Sequence, residues 1–383
     1  MSVTAAAGFR ASGVAAGLKS SGMLDVAVVV NDGPRHDGAG VFTANRVKAA
    51  PIVWSQQVVA DGRVDAVVLN SGGANACTGP QGFQDTHRTA EHAAILLEAG
   101  AADVAVCSTG LIGVALPMDR LLAGVDGALD LLDVDGGDDA ARAIMTTDTV
   151  PKLAAVDGGG FVVGGMAKGA GMLAPGLATM LCVVTTDAVA DAPTLDRVLR
   201  AATSTSFDLI DSDGCMSTND TVLLLASGAS GIEPDEATLA RAVAAVCGDL
   251  ARQLVDDAEG ASKTVAVEVT RAASRDDAVE VARAVSRSAL LKCALHGEDP
   301  NWGRVLSAVG TTAAEFEPEH LAVAMNGVWV CSDGMAAEDR TKVDLSGRQI
   351  TVTVDLGAGD ETVTVWTNDL TADYVLENSA YST

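Results

Sequence analysis

Short runs of β-branched and other apolar residues recur in the first third of the chain, and each run ends in small or turn-forming residues. The runs 26–30, 66–69 and 104–107 are followed by NDG, NSGG and STG, respectively. Continuous apolar runs of this length are typical of buried β-strands, and the segments after them are typical of loops. Because binding and catalytic residues are often carried on such loops, these strand ends are the first candidates for a functional site.

A second set of segments has apolar residues spaced three and four positions apart, the period of a helix. This spacing predicts helices over residues 86–97, 118–132, 140–145, 195–205, 237–255 and 277–291. The last third of the chain instead alternates apolar and polar residues in 264–270, 350–356 and 362–366. That alternation predicts an antiparallel sheet with one solvated face. The predicted fold class is therefore α/β, in an α+β layered arrangement.

Composition limits how this fold is built. The chain has 383 residues, of which 48% are hydrophobic and only 3% aromatic. This length is enough for one large or two medium domains with well-formed cores. The scarcity of aromatic residues means that small aliphatic side chains have to fill those cores by close packing.

The charge balance narrows the range of partners. Lysine and arginine number 25 against 51 aspartates and glutamates, which gives a formal net charge of −26. An acidic surface repels nucleic-acid phosphates and anionic lipids, so we expect neither nucleic acid nor a membrane as a partner. The seven cysteines show no CxxC spacing, which favours free thiols in a reducing compartment. Because the first residues also lack the pattern of a signal peptide, we expect a cytoplasmic protein.

One segment, residues 164–186, differs from the rest of the chain. Its first part holds five glycines and a proline around a single cation, Lys168, and its later residues 180–184 predict a buried strand. Thr179 lies between these two parts. An internal threonine hydroxyl is a poor nucleophile, whereas an N-terminal threonine has its own base, an α-amine with a pKa of about 7.7–8.0. Attack of the Thr179 hydroxyl on the Ala178 carbonyl would cleave the chain and create that N-terminus.

The local pattern also fits two other interpretations. A Gly-rich turn packed tightly against a sheet is the more common explanation of such a segment. A phosphate-binding loop fits less well, because neither the G-x-G-x-x-G spacing nor the P-loop spacing follows. From these residues alone, the three interpretations stay open.

Several motifs, in order along the whole chain, resemble the ornithine acetyltransferase family of arginine biosynthesis, also called bifunctional glutamate N-acetyltransferase. The main one is MAKGAGMLAP at 166–175 followed by LATML at 177–181. The others are NSGGAN at 70–75, STGLIG at 108–113, IMTTDT at 144–149, DAEGA at 257–261, DPNWGR at 299–304 and ENSAYST at 377–383. The resemblance implies the family's fold, with two domains and an N-terminal-nucleophile site.

The resemblance also implies a reaction. The precursor is expected to cleave itself between Ala178 and Thr179, giving an α chain of residues 1–178 and a β chain of residues 179–383. Thr179 would take the acetyl group of N2-acetyl-L-ornithine as an ester and pass it to L-glutamate, which is a ping-pong scheme. Each step passes through a tetrahedral oxyanion, for which Thr109 and Gly110 are the implied donors. The implied assembly is an α2β2 heterotetramer.

Residues that contact the substrates follow from the same resemblance. Both substrates carry a carboxylate and present an amine at some stage, so a site for them needs a cation and an anion. Lys168 suits the first role and Glu259 the second. The complete implied set is Thr146, Thr147, Lys168, Thr179, Glu259, Asn378 and Thr383. The sequence does not choose between Thr146 and Thr147.

No metal or resident cofactor is expected, although acetyl-CoA is a possible second acetyl donor. The run 208–220 is faintly like a calcium loop, but Leu209 stands where the opening aspartate belongs and Asp220 replaces the closing glutamate. Two rival functions stay open at this point. One is an N-terminal-threonine amidase or aminopeptidase that releases the acyl group to water, and the other is an uncleaved binding protein.

Overall fold

The computed structural model describes residues 2–174 and 180–380, and its chain divides into two compact units. The first unit contains the described residues up to Asp208 together with Cys215–Asp257. The second unit contains Leu209–Gly214 and the described residues from Ala258 onward. Among the described residues, no helix is long and apolar enough to span a bilayer.

The first unit contains two sheets and six α-helices in its described residues. Its strands are β1 (Phe9–Val14), β2 (Val26–Asn31), β3 (Asp37–Phe42), β4 (Ala66–Asn70), β5 (Val104–Ser108), β6 (Lys152–Asp157), β7 (Val162–Lys168), β8 (Leu181–Thr186) and β9 (Thr221–Ala226). Its helices are α1 (Ala50–Val58), α2 (Gly79–Leu97), α3 (Met118–Asp130), α4 (Gly137–Ile144), α5 (Ala192–Ser204) and α6 (Glu236–Asp256).

The two sheets of this unit pack face to face between layers of helices. The first has the strand order β1-β2-β4-β5 and the second the order β3-β9-β8-β7-β6. Val29 and Val67 of the first sheet share one core with Val183 and Leu223 of the second. Helices α2 and α3 cover the outer face of the first sheet, and α5 and α6 pack against the second. The expected layered α/β architecture is confirmed.

This layering explains the apolar runs that predicted β2, β4 and β5. Successive residues of a strand point to opposite faces, so a strand covered on both faces is apolar throughout. Val29 of β2 faces the inter-sheet core, whereas its neighbour Val28 packs in the cluster under α2 and α3. The predictions of strands at 26–30, 66–69 and 104–107 are therefore confirmed to within one residue.

Strands β7 and β8 flank the Gly-rich segment. They pair antiparallel, with Lys168 opposite Leu181, and β8 pairs in parallel with β9. The predicted strand at 180–184 is thus observed as β8. The segment itself connects two adjacent strands of one sheet, although residues 175–179 lie outside the described residues.

The second unit has one sheet with helices against it. Its strands are β10 (Thr264–Ala272), β11 (Ala322–Met325), β12 (Val328–Ser332), β13 (Met335–Ala336), β14 (Gln349–Asp355) and β15 (Glu361–Asn368). Its helices are α7 (Arg275–Ser286), α8 (Ala289–His296), α9 (Trp302–Val309) and α10 (Ala372–Ala380). The strand order is β13-β12-β11-β14-β10-β15. Alternate residues such as Val352 and Val354 of β14 are buried in its core.

Two expectations for this unit were wrong in detail. The sheet is mixed rather than antiparallel, because β10 pairs antiparallel with β15 but parallel with β14. Alternation of apolar residues reports which face is buried and says nothing about strand direction. The helix predicted over 277–291 is two helices, since the Ser288 side chain accepts a hydrogen bond from Leu291 N–H and caps a new helix, α8.

Candidate active site

Thr109 and Gly110 follow directly after β5, at the end of the first sheet. Thr109 is 6% exposed, and its backbone N–H donates to Asn70 O at 2.9 Å. Gly110 has φ of +126°, and a Cβ atom built there would lie 2.9 Å from Gly73 N. Only glycine fits such a position. Since the Thr109 N–H is already used, this loop can offer the Thr109 hydroxyl and the Gly110 N–H to a developing oxyanion.

Lys168 comes into direct contact with this loop. It ends β7, is 2% exposed, and its Nζ lies 3.3 Å from Thr109 Oγ1. An ammonium group only donates hydrogen bonds, so the Thr109 oxygen is the acceptor here. The hydroxyl proton of Thr109 therefore points away from Lys168 and is available to another acceptor. The structure thus brings together two residues that the resemblance assigned to different roles.

Asp148 organises the residues around Lys168. Its Oδ2 accepts a hydrogen bond from Thr146 N–H at 2.9 Å, and its Oδ1 accepts from Gly169 N–H at 2.7 Å and from Lys152 Nζ at 2.6 Å. One carboxylate therefore fixes the backbone on both sides of the site. Burial raises the pKa of Asp148, but the positive charges of Lys168 and Lys152 outweigh it and bring the pKa down to about 2.

Lys152 is itself buried between two carboxylates. Its Nζ lies 2.6 Å from both Asp148 Oδ1 and Asp257 Oδ2. Asp257 also accepts a hydrogen bond from Thr149 N–H at 2.9 Å. A buried ammonium group needs such partners to offset its loss of hydration. Because Asp257 lies just after α6 and contacts both Lys152 and Thr149, this network links the 146–149 loop to the end of α6.

The lowered pKa of Asp148 predicts how stability falls in acid. A fall from the ordinary 3.8 to about 2 corresponds to about 2 kcal/mol of stability that is fully present above about pH 4. It is lost as the pH falls toward 2, with about 1 kcal/mol gone by pH 3. We expect urea unfolding to show a smaller loss of stability between pH 5 and pH 3 in Asp148→Asn than in the unsubstituted protein.

Asp138→Asn is the matched control for this prediction, because it removes an exposed carboxylate paired with Arg142. It should change the free energy of unfolding by less than about 1 kcal/mol at neutral pH. Equal acid sensitivity of Asp148→Asn and the unsubstituted protein would contradict the assigned charge of Asp148.

Lys19 is a neighbour of this site that sequence reasoning missed. Its Nζ donates to Met145 O at 2.7 Å, directly before Thr146, and to Leu24 O at 2.8 Å. Burial and, to a smaller extent, the charge of Lys168 lower the pKa of Lys19 to about 8, against the opposing charges of Asp25 and Asp148. A single lysine in a polar N-terminal stretch carries no pattern that would have pointed to it.

Thr146 and Thr147 are both half-buried. The backbone of Thr146 is held by Asp148, as described above. Their roles in substrate binding stay predictions.

Ala178 and Thr179 lie outside the described residues, as does Thr383. The first described residue after Thr179 is Met180, whose N–H donates to Asp220 Oδ1 at 3.2 Å. Asp220 therefore holds the start of the strand that follows the predicted cleavage point. The sequence suggested Asp220 only as a poor calcium ligand.

In the second unit, the structure brings two predicted residues together. Asn378 of α10 donates from its Nδ2 to Glu259 Oε2 at 3.0 Å. Gly260 has φ of +59°, and a Cβ atom there would lie 2.2 Å from Tyr374 N, so α10 packs closely against this turn. The substrate contacts of Glu259 and Asn378 stay predictions.

Glu259 also lines a cavity of about 260 Å³ within the second unit. Lys292 and Asp369 lie on its wall, and Lys292 Nζ donates to Thr367 Oγ1 at 3.1 Å. Burial lowers the pKa of Lys292 to about 8, against the raising effect of neighbouring aspartates. The cavity therefore presents both signs of charge. Among residues 2–174 and 180–380, no cluster of three His, Cys, Asp or Glu side chains suited to a metal ion is found.

Comparisons with known proteins give the family. The model of the ArgJ family matches residues 10–383. The arginine biosynthesis bifunctional protein ArgJ of Streptomyces avermitilis is 66% identical over 382 residues, and that of Streptomyces coelicolor is 65% identical over 382, each alignment covering 100% of both chains. The crystal structure of the protein of the same name from Bacillus halodurans is 36% identical, with a TM-score of 0.50, and covers 52% of this chain and 98% of the solved one. This chain therefore belongs to the ArgJ family.

Proposed function

We propose that this protein is a self-processing glutamate N-acetyltransferase that uses N2-acetyl-L-ornithine as its acetyl donor. Its relatives carry the name of an arginine biosynthesis protein, which agrees with a reaction that releases ornithine. The observation that carries the proposal is the Thr109 and Lys168 contact at 3.3 Å. Lys168 is paired with Leu181, two residues after Thr179, so these groups lie beside the strand that the nucleophile precedes.

The first step is cleavage of the precursor. The Thr179 hydroxyl oxygen attacks the Ala178 carbonyl carbon, the Ala178–Thr179 C–N bond breaks, and the hydroxyl proton passes to the Thr179 amine that is released. Water then hydrolyses the resulting ester, which leaves residues 1–178, with a carboxylate at Ala178, and 179–383 as separate chains. The solved relative from Bacillus halodurans supports this step. That chain is matched over 98% of its length but covers 52% of this one, so it is about half as long.

The two pieces would stay associated after cleavage. Strands β3, β6 and β7 belong to the first piece and β8 and β9 to the second, yet all five form one sheet. The cleaved protein therefore separates only when it is denatured. We extend this to an α2β2 heterotetramer, as the family resemblance implies.

Acetyl transfer then proceeds in two halves. The Thr179 hydroxyl oxygen bonds to the acetyl carbon of acetylornithine, the amide C–N bond breaks, and the proton passes by way of the Thr179 α-amine to the departing ornithine amine. The glutamate amine next attacks the acetyl ester, which regenerates the hydroxyl. The Thr109 hydroxyl and Gly110 N–H donate to the oxyanion in both halves.

Charged residues hold the two substrates. Lys168 binds a substrate carboxylate, and Glu259 with Asn378 binds an amine, while Thr146, Thr147 and Thr383 complete the contacts. No resident cofactor takes part in this scheme, and acetyl-CoA is a second possible donor. None of the seven cysteines, all of which lie in the described residues, forms a disulfide, which supports a reducing, cytoplasmic location.

Glutamate dependence tests the proposal against an amidase. An ester shielded from water turns over slowly without an acceptor amine. Steady-state release of ornithine from acetylornithine should therefore rise roughly tenfold or more when glutamate is added. Glutarate, which has both carboxylates but no amine, is the matched control and should give no such rise. Equal rates with and without glutamate would favour the amidase instead.

A further inference from the structure

Two consecutive residues ahead of β9, Asn219 and Asp220, are buried at 5% and 0% exposure. Neither belongs to the predicted substrate contacts or oxyanion donors. Buried polar side chains need hydrogen-bond partners. The partners of Asn219 lie beside the oxyanion loop, and the partner of Asp220 is the backbone of Met180.

Asn219 holds the oxyanion loop. Its Nδ2 donates to Ser108 O at 2.8 Å and to Ala74 O at 2.6 Å. Ser108 directly precedes Thr109, and Ala74 belongs to the loop that follows β4. The Thr218 hydroxyl donates to Asn219 Oδ1 at 2.6 Å, which fixes the orientation of the amide.

Asp220 holds the start of β8, at Met180. Its Oδ1 accepts from Met180 N–H at 3.2 Å, and Met180 O accepts from Thr221 N–H at 3.0 Å. Both polar groups of the Met180 backbone are therefore fixed by consecutive residues. Met180 is bonded directly to Thr179, so its position constrains the position of the predicted nucleophile.

Burial raises the pKa of Asp220 well above its usual value, against opposing hydrogen bonds from Met180, Ser217 and Thr43. Burial thus favours the neutral, protonated form of this carboxyl group. A neutral carboxylic acid has one accepting oxygen and one O–H donor, which an asparagine amide imitates closely.

We propose that Asn219 and Asp220 are positioning residues that hold Met180, the residue after the proposed nucleophile, in register with the loop that carries the oxyanion donors Thr109 and Gly110. The inference rests on the proposed function. These two adjacent residues are hydrogen-bonded to Ser108, just before Thr109, and to Met180, just after Thr179. A displacement of Ser108 or Met180 therefore also displaces the other. Misplacement of reacting groups by about 1 Å costs roughly 10²-fold in rate.

The test compares Asn219→Asp with a matched control at the other end of β9. Asn31 is also buried, and its Nδ2 donates to two backbone carbonyls, Arg35 O and Ala226 O. Asn31→Asp and Asn219→Asp thus replace the same kind of donor with an oxygen. We expect Asn219→Asp to lower kcat, measured per cleaved chain, about 10- to 100-fold with KM changed less than about threefold. Asn31→Asp should keep kcat within about twofold at a similar loss of thermal stability.

Asp220 provides a second measurement that holds even if Asn219→Asp fails to fold. Asp220→Leu removes the acceptor for Met180 N–H and should lower kcat at least tenfold, whereas Asp220→Asn keeps an acceptor and should restore most of that loss. A proton-transfer role for Asp220 would instead make both variants equally poor.

Failure of the positioning role and failure of the proposed function give different results. Equal kcat values for Asn219→Asp and Asn31→Asp, or failure of Asp220→Asn to recover activity relative to Asp220→Leu, would overturn the positioning role. Absence of glutamate-dependent acetyl transfer in the unsubstituted protein would overturn the proposed function itself.

Discussion

Thr179→Ala is expected to yield a single polypeptide of 38.6 kDa with no detectable acetyl transfer, where the unsubstituted protein yields two chains. The reason is that one hydroxyl serves both reactions. Without it, nothing attacks the Ala178 carbonyl, so no N-terminal amine forms and no acetyl ester can be made. Denaturing electrophoresis and an acetyl-transfer assay measure the two losses on the same sample.

Two variants control for indirect effects of this substitution. Thr179→Ser keeps a hydroxyl and should still cleave, though more slowly. Thr185→Ala removes a threonine hydroxyl farther along β8, where it donates to Val3 O at 2.6 Å, and should cleave normally. Cleavage of Thr179→Ala to the extent seen in Thr185→Ala would exclude Thr179 as the attacking residue.

Thr109→Val is expected to lower kcat by about 10²–10³-fold with little change in KM, because the hydroxyl contributes mainly to the transition state. The two side chains are similar in size, so the loop after β5 should keep its shape. Thr109→Ser retains the donor and should lose much less. Steady-state kinetics with acetylornithine and glutamate measure the difference.

The 3.3 Å contact between Lys168 and Thr109 extends this prediction. If Lys168 orients the Thr109 hydroxyl as well as binding a carboxylate, Lys168→Met should lower kcat and raise KM together. In the Thr109→Val background its effect on kcat should be smaller, because the hydroxyl that it orients is already gone. Fully additive losses of kcat would show that Lys168 acts on substrate alone.

Strands β2, β4, β5 and β8 of the first unit could be predicted from sequence because they are buried on both faces. Runs such as VAVVVN in β2 have few alternatives to a covered strand. Strand β7, in contrast, contains Gly164, where a Cβ atom would lie 2.2 Å from Ser2 O. A strand that needs glycine for close approach of another backbone carries no apolar pattern, so it escaped prediction.

The candidate site was predictable only where residues carry a recognisable motif. Thr109 and Lys168 lie in such motifs, and the structure places them in contact. Lys19 and Asn219 act through hydrogen bonds to backbone groups distant in sequence, such as those from Lys19 to Met145 O, 126 positions away, and from Asn219 to Ser108 O, 111 positions away. Nothing local in a sequence encodes such partners, because they are set by the packing of two sheets.

Mass measurement of the denatured protein after incubation with acetylornithine, without glutamate, tests the central claim most directly. We expect two chains, of which the one beginning at Thr179 is heavier by one acetyl group, and we expect glutamate to remove this group. Active protein that remains one unbroken chain through Ala178 and Thr179, with no acetyl group on Thr179, would contradict it.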